Sequence, residues 1–281
     1  MQRMREGERG VTLIELLVAL VISSFLLVAT YQTFFRQQKV YTVQEQVADM
    51  QQNVRTSISR MMDELRMTGF GNVSMVLPAT MGGRTFANVV NADSPVTGAV
   101  TVVGALGGRA TITGYPAKNQ VVVDRLSDDQ GNALFDTGNR KYISVGGLES
   151  HTIFSIDTGT KTLTVSPNLR YTPVLNQTQV FGIRAVTYQV VSVSGVSTLE
   201  RDENLGDGPQ ALADNIESVQ FVYQDANGAV TATPANVRII RASATARTKD
   251  YDPELKKGGG DGYRRRQVVS NINLRNMGIN P

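Results

Sequence analysis

Three patterns follow one another along the first quarter of the chain. Residues 1–10, MQRMREGERG, are polar. Val11 to Phe35 are then apolar almost without interruption, and the only ionisable acid or base there, Tyr31 aside, is Glu15. A run of about 20 apolar residues is enough to cross the hydrocarbon core of a bilayer. Beyond Lys39 the composition turns polar while the period stays helical. Val40, Val43, Val47, Met50, Val54, Ile58, Met61 and Leu65 recur at intervals of three and four, one apolar stripe on an α-helix. Gln44, Glu45, Gln51, Gln52, Asn53, Arg55, Asp63 and Arg66 occupy the opposite face. Neither Gly nor Pro occurs between Val11 and Thr68, so nothing forces a break, and Gly69 offers a stop. The pattern predicts one helix of about 57 residues, ~85 Å long at 1.5 Å per residue. A parallel coiled coil shares this near-heptad spacing. The stripe is short, however, and a β-rich region follows at once, so packing against the chain's own sheet is preferred.

From Gly69 onward the period changes to two. Short β-branched or alternating runs are separated by Gly, Asp and Asn. They predict strands at Gln120–Leu126, Lys141–Val145, Thr152–Ile156, Thr162–Ser166, Ala185–Val193, Glu217–Tyr223 and Val237–Ala246. IDTGTKTLTV (Ile156–Val165) and VYQDANGAVTA (Val222–Ala232) read as hairpins, turning near Thr158-Gly159 and Asn227-Gly228. No second long amphipathic helix is seen. The head is therefore expected to be mostly antiparallel sheet, in one or two layers. Met75–Gly114, rich in Gly, Ala, Thr and Val, carries the least pattern and reads as a variable loop or a small extra sheet.

Composition narrows the chemistry. The chain has 281 residues, 41% hydrophobic and 19% charged, enough for a real core and unlike a disordered chain. A net charge of +3 is too small to make the whole surface a polyanion-binding field. The absence of Cys excludes disulfides, thiolate zinc sites and cysteine nucleophiles. The single histidine, His151, rules out a multi-histidine metal site. There is no P-loop and no dinucleotide-binding glycine pattern, so neither an enzyme nor a cofactor is expected.

The N-terminal run admits three readings. A cleaved secretory signal has an apolar core of about 7–15 residues and a small-residue cleavage site, and this run is longer with no good A-x-A after it. A plain signal anchor explains the hydropathy but not Glu15, whose burial at membrane depth costs roughly 2–3 kcal/mol or more. Nor does it explain Gly10 at the polar–apolar boundary. The arrangement of a short charged leader, Gly10, Val11, Thr12-Leu13-Ile14, Glu15 and an apolar helix resembles the class III signal of type IV prepilins. Val11 departs from the phenylalanine most members carry there. MDELRMTGF (Met62–Phe70), ADNIESVQFVYQDANG (Ala213–Gly228), VRIIRASATART (Val237–Thr248) and SNINLRNMG (Ser270–Gly278) are similar to PilW-type minor pilins, the later matches loosely so.

The resemblance implies an α+β, pilin-like fold: a long N-terminal helix, membrane-spanning first and amphipathic afterwards, packed on a mostly antiparallel β head. It implies a leader at 1–10, a membrane or filament-core helix at 11–35, an amphipathic helix at 36–68, a head at 69–255, and a basic glycine-rich loop with a final strand at 256–281. Cleavage by prepilin peptidase between Gly10 and Val11 and N-methylation of Val11 are implied too. So is a single-pass inner-membrane stage with a periplasmic head, followed by entry into a pilus or pseudopilus. The partners implied are other minor pilins, the major pilin and the inner-membrane assembly platform. Glu15 is expected to pair with an N-terminal amine, its own or a neighbouring subunit's, during assembly. The type II secretion pseudopilin J and a competence minor pilin are close relatives of this pattern, so a pseudopilus component is an alternative.

Other candidates have plainer explanations. Lys256, Lys257, Arg264, Arg265 and Arg266 lie in KKGGGDGYRRR, a basic stretch that offers contacts to DNA phosphates or an adhesive face. A flexible, solvated loop is the preferred reading there. The acidic loops SDDQGN (Ser127–Asn132) and DENLGDG (Asp202–Gly208) suit calcium in composition but fit no EF-hand spacing, and solvated Asx turns are preferred. His151 is expected to be an ordinary histidine at a strand end.

Overall fold

The computed structural model describes residues 11–92, 94 and 96–277, with side chains given for all of these but Val193, Pro253 and Glu254. Gly10 and the leader lie outside the described residues. The architecture is α+β and pilin-like: a long N-terminal apolar helix followed by a mostly antiparallel β domain. Its contacts divide the chain into two units, one reaching to Asp49 and one beginning at Met50.

Within the first unit, helix α1 (Leu13–Arg66) begins one residue after Thr12. Its apolar side chains are exposed on every face, Leu13, Phe25 and Leu27 among them. α1 is long and apolar enough to cross a membrane. Among its polar residues, Ser24, Thr30 and Thr33 each donate a hydroxyl to the carbonyl four residues back, which satisfies it within the helix.

In the second unit, the last turns of α1 bury Met50, Val54, Ile58, Met61 and Leu65, five of the eight positions in the predicted stripe. The helix tightens as it stops: Met67 and Thr68 donate to the carbonyls three residues back. Gly69 then turns the chain with a φ of +77°, and a Cβ there would come within 3.1 Å of the Asn276 carbonyl oxygen.

The head is three sheets and a small hairpin rather than one or two layers. Six strands, in the order Thr162–Ser166, Gln120–Val123, Arg109–Ala117, Gln179–Gly182, Tyr142–Val145 and Glu149–Asp157, close into a barrel. Its interior is filled by Ile112, Val121, Val123, Ile143, Ile153, Leu163 and Val180. A five-stranded sheet runs Gln210–Asp214, Val196–Asp202, Arg184–Val193, Ala99–Gly104, Val90–Asn91. A four-stranded sheet runs Arg265–Asn273, Ile239–Arg247, Ile216–Gln224, Val96–Thr97. Ala79–Met81 and Arg84–Phe86 form the hairpin. Every pairing is antiparallel.

Several expectations change here. Met75–Gly114 is neither a loop nor one extra sheet. Its strands join the barrel, both larger sheets and the hairpin, so this segment ties the head together. Ile156–Val165 is a hairpin as expected, turned by Asp157, whose Oδ1 accepts from the Gly159 and Thr160 amides. VYQDANGAVTA is a tight turn without a second strand: Asp225 Oδ1 accepts from the Asn227 and Ala229 amides, but Ile216–Gln224 pairs with Ile239–Arg247 instead.

Candidate functional site

The first turn of α1 holds the charge that interrupts the apolar run. Thr12 stands at the N-cap and Glu15 three residues on. The Glu15 amide donates to Thr12 Oγ1 at 3.3 Å. Glu15 Oε2 in turn accepts from the Thr12 amide at 2.9 Å and from the Thr12 hydroxyl at 2.8 Å. This is a reciprocal capping box, and it satisfies two amides that the helix itself leaves without partners. A carboxylate in the first turn also faces the positive end of the helix dipole. Both bonds to the carboxylate fall on Oε2: among the described residues, Oε1 accepts none. Val11 is exposed beside it.

The family described as the prokaryotic N-terminal methylation motif matches residues 6–31. The chain carries a class III signal peptide. The motif supports a type IV pilin-like or pseudopilin-type subunit, a structural component rather than an enzyme. It implies processing by prepilin peptidase and assembly with other pilins, and with the apolar helix it fits membrane anchoring and pilus localisation. No curated protein and no solved structure matches the chain.

The basic stretch joins a short helix to a strand through an exposed turn. Lys256 and Lys257 end a short helix, α2 (Pro253–Lys257), and Arg265 and Arg266 open the strand Arg265–Asn273. Between them the chain is stitched to its neighbours: Asp252 donates to the Gly262 carbonyl at 2.7 Å, and Thr248 to that of Arg264 at 2.9 Å. The Lys256 ammonium lies 5.5 Å from the centre of the Tyr251 ring. Arg264 pairs with Asp252 at 3.1 Å. Arg265 is held by Glu217, at 2.6 and 2.7 Å, and by Asp261. Hydrogen bonds from Arg265 hold the Asp261 and Glu217 carboxyls below the usual carboxylate range. The charges of Arg264 and Arg265 are thus offset locally. Arg266, exposed, forms no ion pair among the described residues.

The two acidic loops, distant in sequence, line one cleft of about 510 Å³. SDDQGN is the Asx turn expected. Asp128 accepts from the Gln130 and Asn132 amides at 2.9 and 2.8 Å, and the Asn132 side chain and amide hold its carboxyl low. DENLGDG also opens on an Asx turn, Asp202 Oδ1 accepting from the Asn204 amide at 2.8 Å, but its centre is not solvated. Asn204 is buried in the left-handed conformation, and its Nδ2 donates to the Ala185 carbonyl and Thr187 Oγ1 at 2.9 Å each. Glu203 pairs with Arg201 at 2.7 Å, and Asp207 with Arg140 at 2.7 Å. Among the described residues no group of three or more acidic or histidine side chains is placed to hold a metal.

Two buried polar clusters have no counterpart in the sequence reading. In the first, Glu64 on α1 accepts from Arg201 Nε at 2.9 and 3.1 Å and from the Tyr188 hydroxyl at 2.6 Å. Burial and Glu64 push the Tyr188 phenol well above its usual range. Burial alone would lower the Arg201 guanidinium, but Glu64 and Glu203 raise it. In the second, His151 is not at a strand end. It is the third residue of Glu149–Asp157 and fully buried. Its Nδ1 lies 2.8 Å from the Pro167 carbonyl, which can only accept, so Nδ1 carries a proton. Nε2 lies 3.5 Å from Glu149, which is itself buried and accepts from the Arg170 amide at 2.9 Å. Desolvation pushes the imidazole down from its ordinary value, against the opposing pull of the Pro167 carbonyl and Glu149.

Proposed function

We propose that the chain is a PilW-type minor pilin, cut between Gly10 and Val11, methylated on Val11, and used in an initiation or tip complex with other minor pilins. Its precursor sits in the inner membrane as a single pass with the head in the periplasm. From there the assembly platform passes it to the filament, where the major pilin follows. The observation that carries this reading is the methylation motif joined to a capping box that leaves one oxygen of Glu15 open. Cleavage exposes an α-amine on Val11, four residues from that carboxylate. A lone charge in apolar surroundings is costly and an opposite charge offsets part of that cost. An incoming amine from a neighbouring subunit therefore pulls subunits into axial register, whereas the chain's own amine only offsets the charge within one subunit.

Glu15→Gln separates the two roles of this side chain. Glutamine still serves a capping box, so the helix and membrane insertion are kept, but the charge is gone. The expected result is normal processing, shown by a mature mass lacking residues 1–10, together with lost piliation. Piliation equal to wild type would end the charge-pairing reading. Intact pili with failed protein secretion would instead assign the chain to a type II secretion pseudopilus. Against a DNA-binding or adhesive tip module built on Lys256, Lys257 and Arg264–Arg266, two of its five cations, Arg264 and Arg265, are held in ion pairs.

A further inference from the structure

The strand Arg265–Asn273 is the outer member of the four-stranded sheet, paired on one side only among the described residues. Natural sheets blunt such edges with charges, prolines or bulges, because an unpaired row of N–H and C=O groups invites another strand. This edge is unprotected over most of its length. Gln267–Asn273 reads QVVSNIN, with no charge and no proline, and its nine-residue register with Ile239–Arg247 is unbroken by any bulge. Arg265, which would guard the start, is tied down by Glu217 and Asp261.

A groove of about 330 Å³ runs beside this edge, between it and one face of α1. Val54, Ile58 and Met62 line it from the helix, and Val268 from the strand. Arg266, Val268, Ser270 and Ile272 alternate onto the inner face, opposite the buried Ala246, Ala244, Ala242 and Ile240. Along that face Ile272 is buried, Val268 and Ser270 are half-buried, and Arg266 is exposed. The helix therefore fails to cover the inner face towards the start of the strand. Arg55 and Arg266 line the groove, both exposed, and neither forms an ion pair among the described residues.

We propose that this edge and groove take up an extended segment of a partner protein by strand addition, one that alternates apolar side chains with carboxylates. Backbone pairing along Gln267–Asn273 supplies affinity, and the alternate side chains enter the groove. The two uncommitted guanidinium groups select carboxylates over basic or neutral side chains. The inference does not depend on whether the filament is a pilus or a pseudopilus.

The test uses full-length protein in detergent micelles with fluorescein-labelled synthetic peptides of roughly eight residues. One alternates valine with glutamate and the other valine with lysine. Anisotropy is expected to show the glutamate peptide binding roughly tenfold or more tightly. Amide hydrogen exchange is expected to slow in Gln267–Asn271 on binding. Arg55→Glu combined with Arg266→Glu, both on exposed positions, is expected to leave melting unchanged and reverse the preference to the lysine peptide. Equal binding of both peptides, an unreversed preference, or unchanged exchange in the strand would each overturn the proposal. Exchange that slows with protein concentration in the absence of peptide would assign the edge to a second copy of this chain and overturn it as well.

Discussion

Glu64 is the strongest point at which to break the attachment of α1 to the head. In Glu64→Ala, Tyr188 keeps a buried hydroxyl with its acceptor removed, and Arg201 loses two contacts from Nε while retaining Glu203 at 2.7 Å through Nη1. An orphaned buried hydroxyl costs about 1–3 kcal/mol and a hydrogen bond to a charged group about 1.5–3 kcal/mol. Alanine returns a few tenths of a kcal/mol of helix propensity. The expected loss is about 3–4 kcal/mol, within the range for breaking a buried ion pair. For a domain of 150–250 residues each kcal/mol moves the melting temperature by about 2–4 °C, so a fall of roughly 10 °C is expected. The assay is thermal unfolding of full-length protein in detergent followed by near-ultraviolet tyrosine circular dichroism, with hydrogen exchange across Met50–Arg66 reporting the helix itself. Asp63→Ala is the control. Asp63, the residue before Glu64, is exposed and among the described residues pairs with Arg66 at 2.7 Å, and its loss is worth at most about 1 kcal/mol. If the two variants melt within about 2 °C of each other, the network does not hold the helix and the reasoning fails.

Three further outcomes follow from the same structure. Thr12→Val removes the hydroxyl of the capping box and is expected to cost about 1 kcal/mol at the helix start. It should speed amide exchange of the first helical turn in micelles while leaving processing intact, and unchanged exchange there would show that the cap is inert. Because burial depresses the folded pKa of His151, the unfolded chain binds this proton more readily; stability should be full above about pH 6.5 and decline as pH falls towards the folded value. His151→Gln should flatten that part of the melting-temperature profile, and two superimposable profiles would refute the assignment. Gly71, at a φ of +94°, has Ala105 Cβ and Ser144 Cβ 2.8 Å from where its own Cβ would be, whereas Gly83, at +77°, has open space. Gly71→Ala should destabilise the head by about 3 kcal/mol and Gly83→Ala by about 1 kcal/mol, compared by denaturant titration.

Much of the helix and part of the site were legible in residue order. The lengths of the apolar run and of the stripe from Val40 to Leu65 are local quantities, and a period of 3.6 needs no knowledge of what it packs against. Thr12-x-x-Glu15 is a readable capping signature as well, and reading Glu15 only as an assembly charge passed over its bond to Thr12. Strands such as Arg184–Val193, Ile216–Gln224 and Ile239–Arg247 showed themselves by alternation, whereas Ala99–Gly104, Arg109–Ala117, Gln179–Gly182, Val196–Asp202 and Gln210–Asp214 were passed over. Val90–Asn91 and Val96–Thr97, two residues each, are too short to show any period, and Ala99–Gly104 and Arg109–Ala117 are rich in small residues and Thr, so Met75–Gly114 looked shapeless. His151 read as a strand-end residue because nothing nearby in sequence reveals that the strand starts at Glu149 or that its Nδ1 meets the Pro167 carbonyl inside the head.

By itself the sequence determined the signal at Gly10–Glu15, one long helix with an apolar first half and a striped second half, and an antiparallel β class for the head. Each of these rests on residues within a few positions of one another, where covalent geometry and period set the outcome. Only the tertiary structure decided that six strands close into a barrel, that the basic run is pinned by Asp252, Glu217 and Asp261, that Glu64 meets Arg201 across 137 positions, and that the last strand offers an open edge beside a groove. Those features depend on which distant groups become neighbours, and that choice is made by the packing of the whole chain.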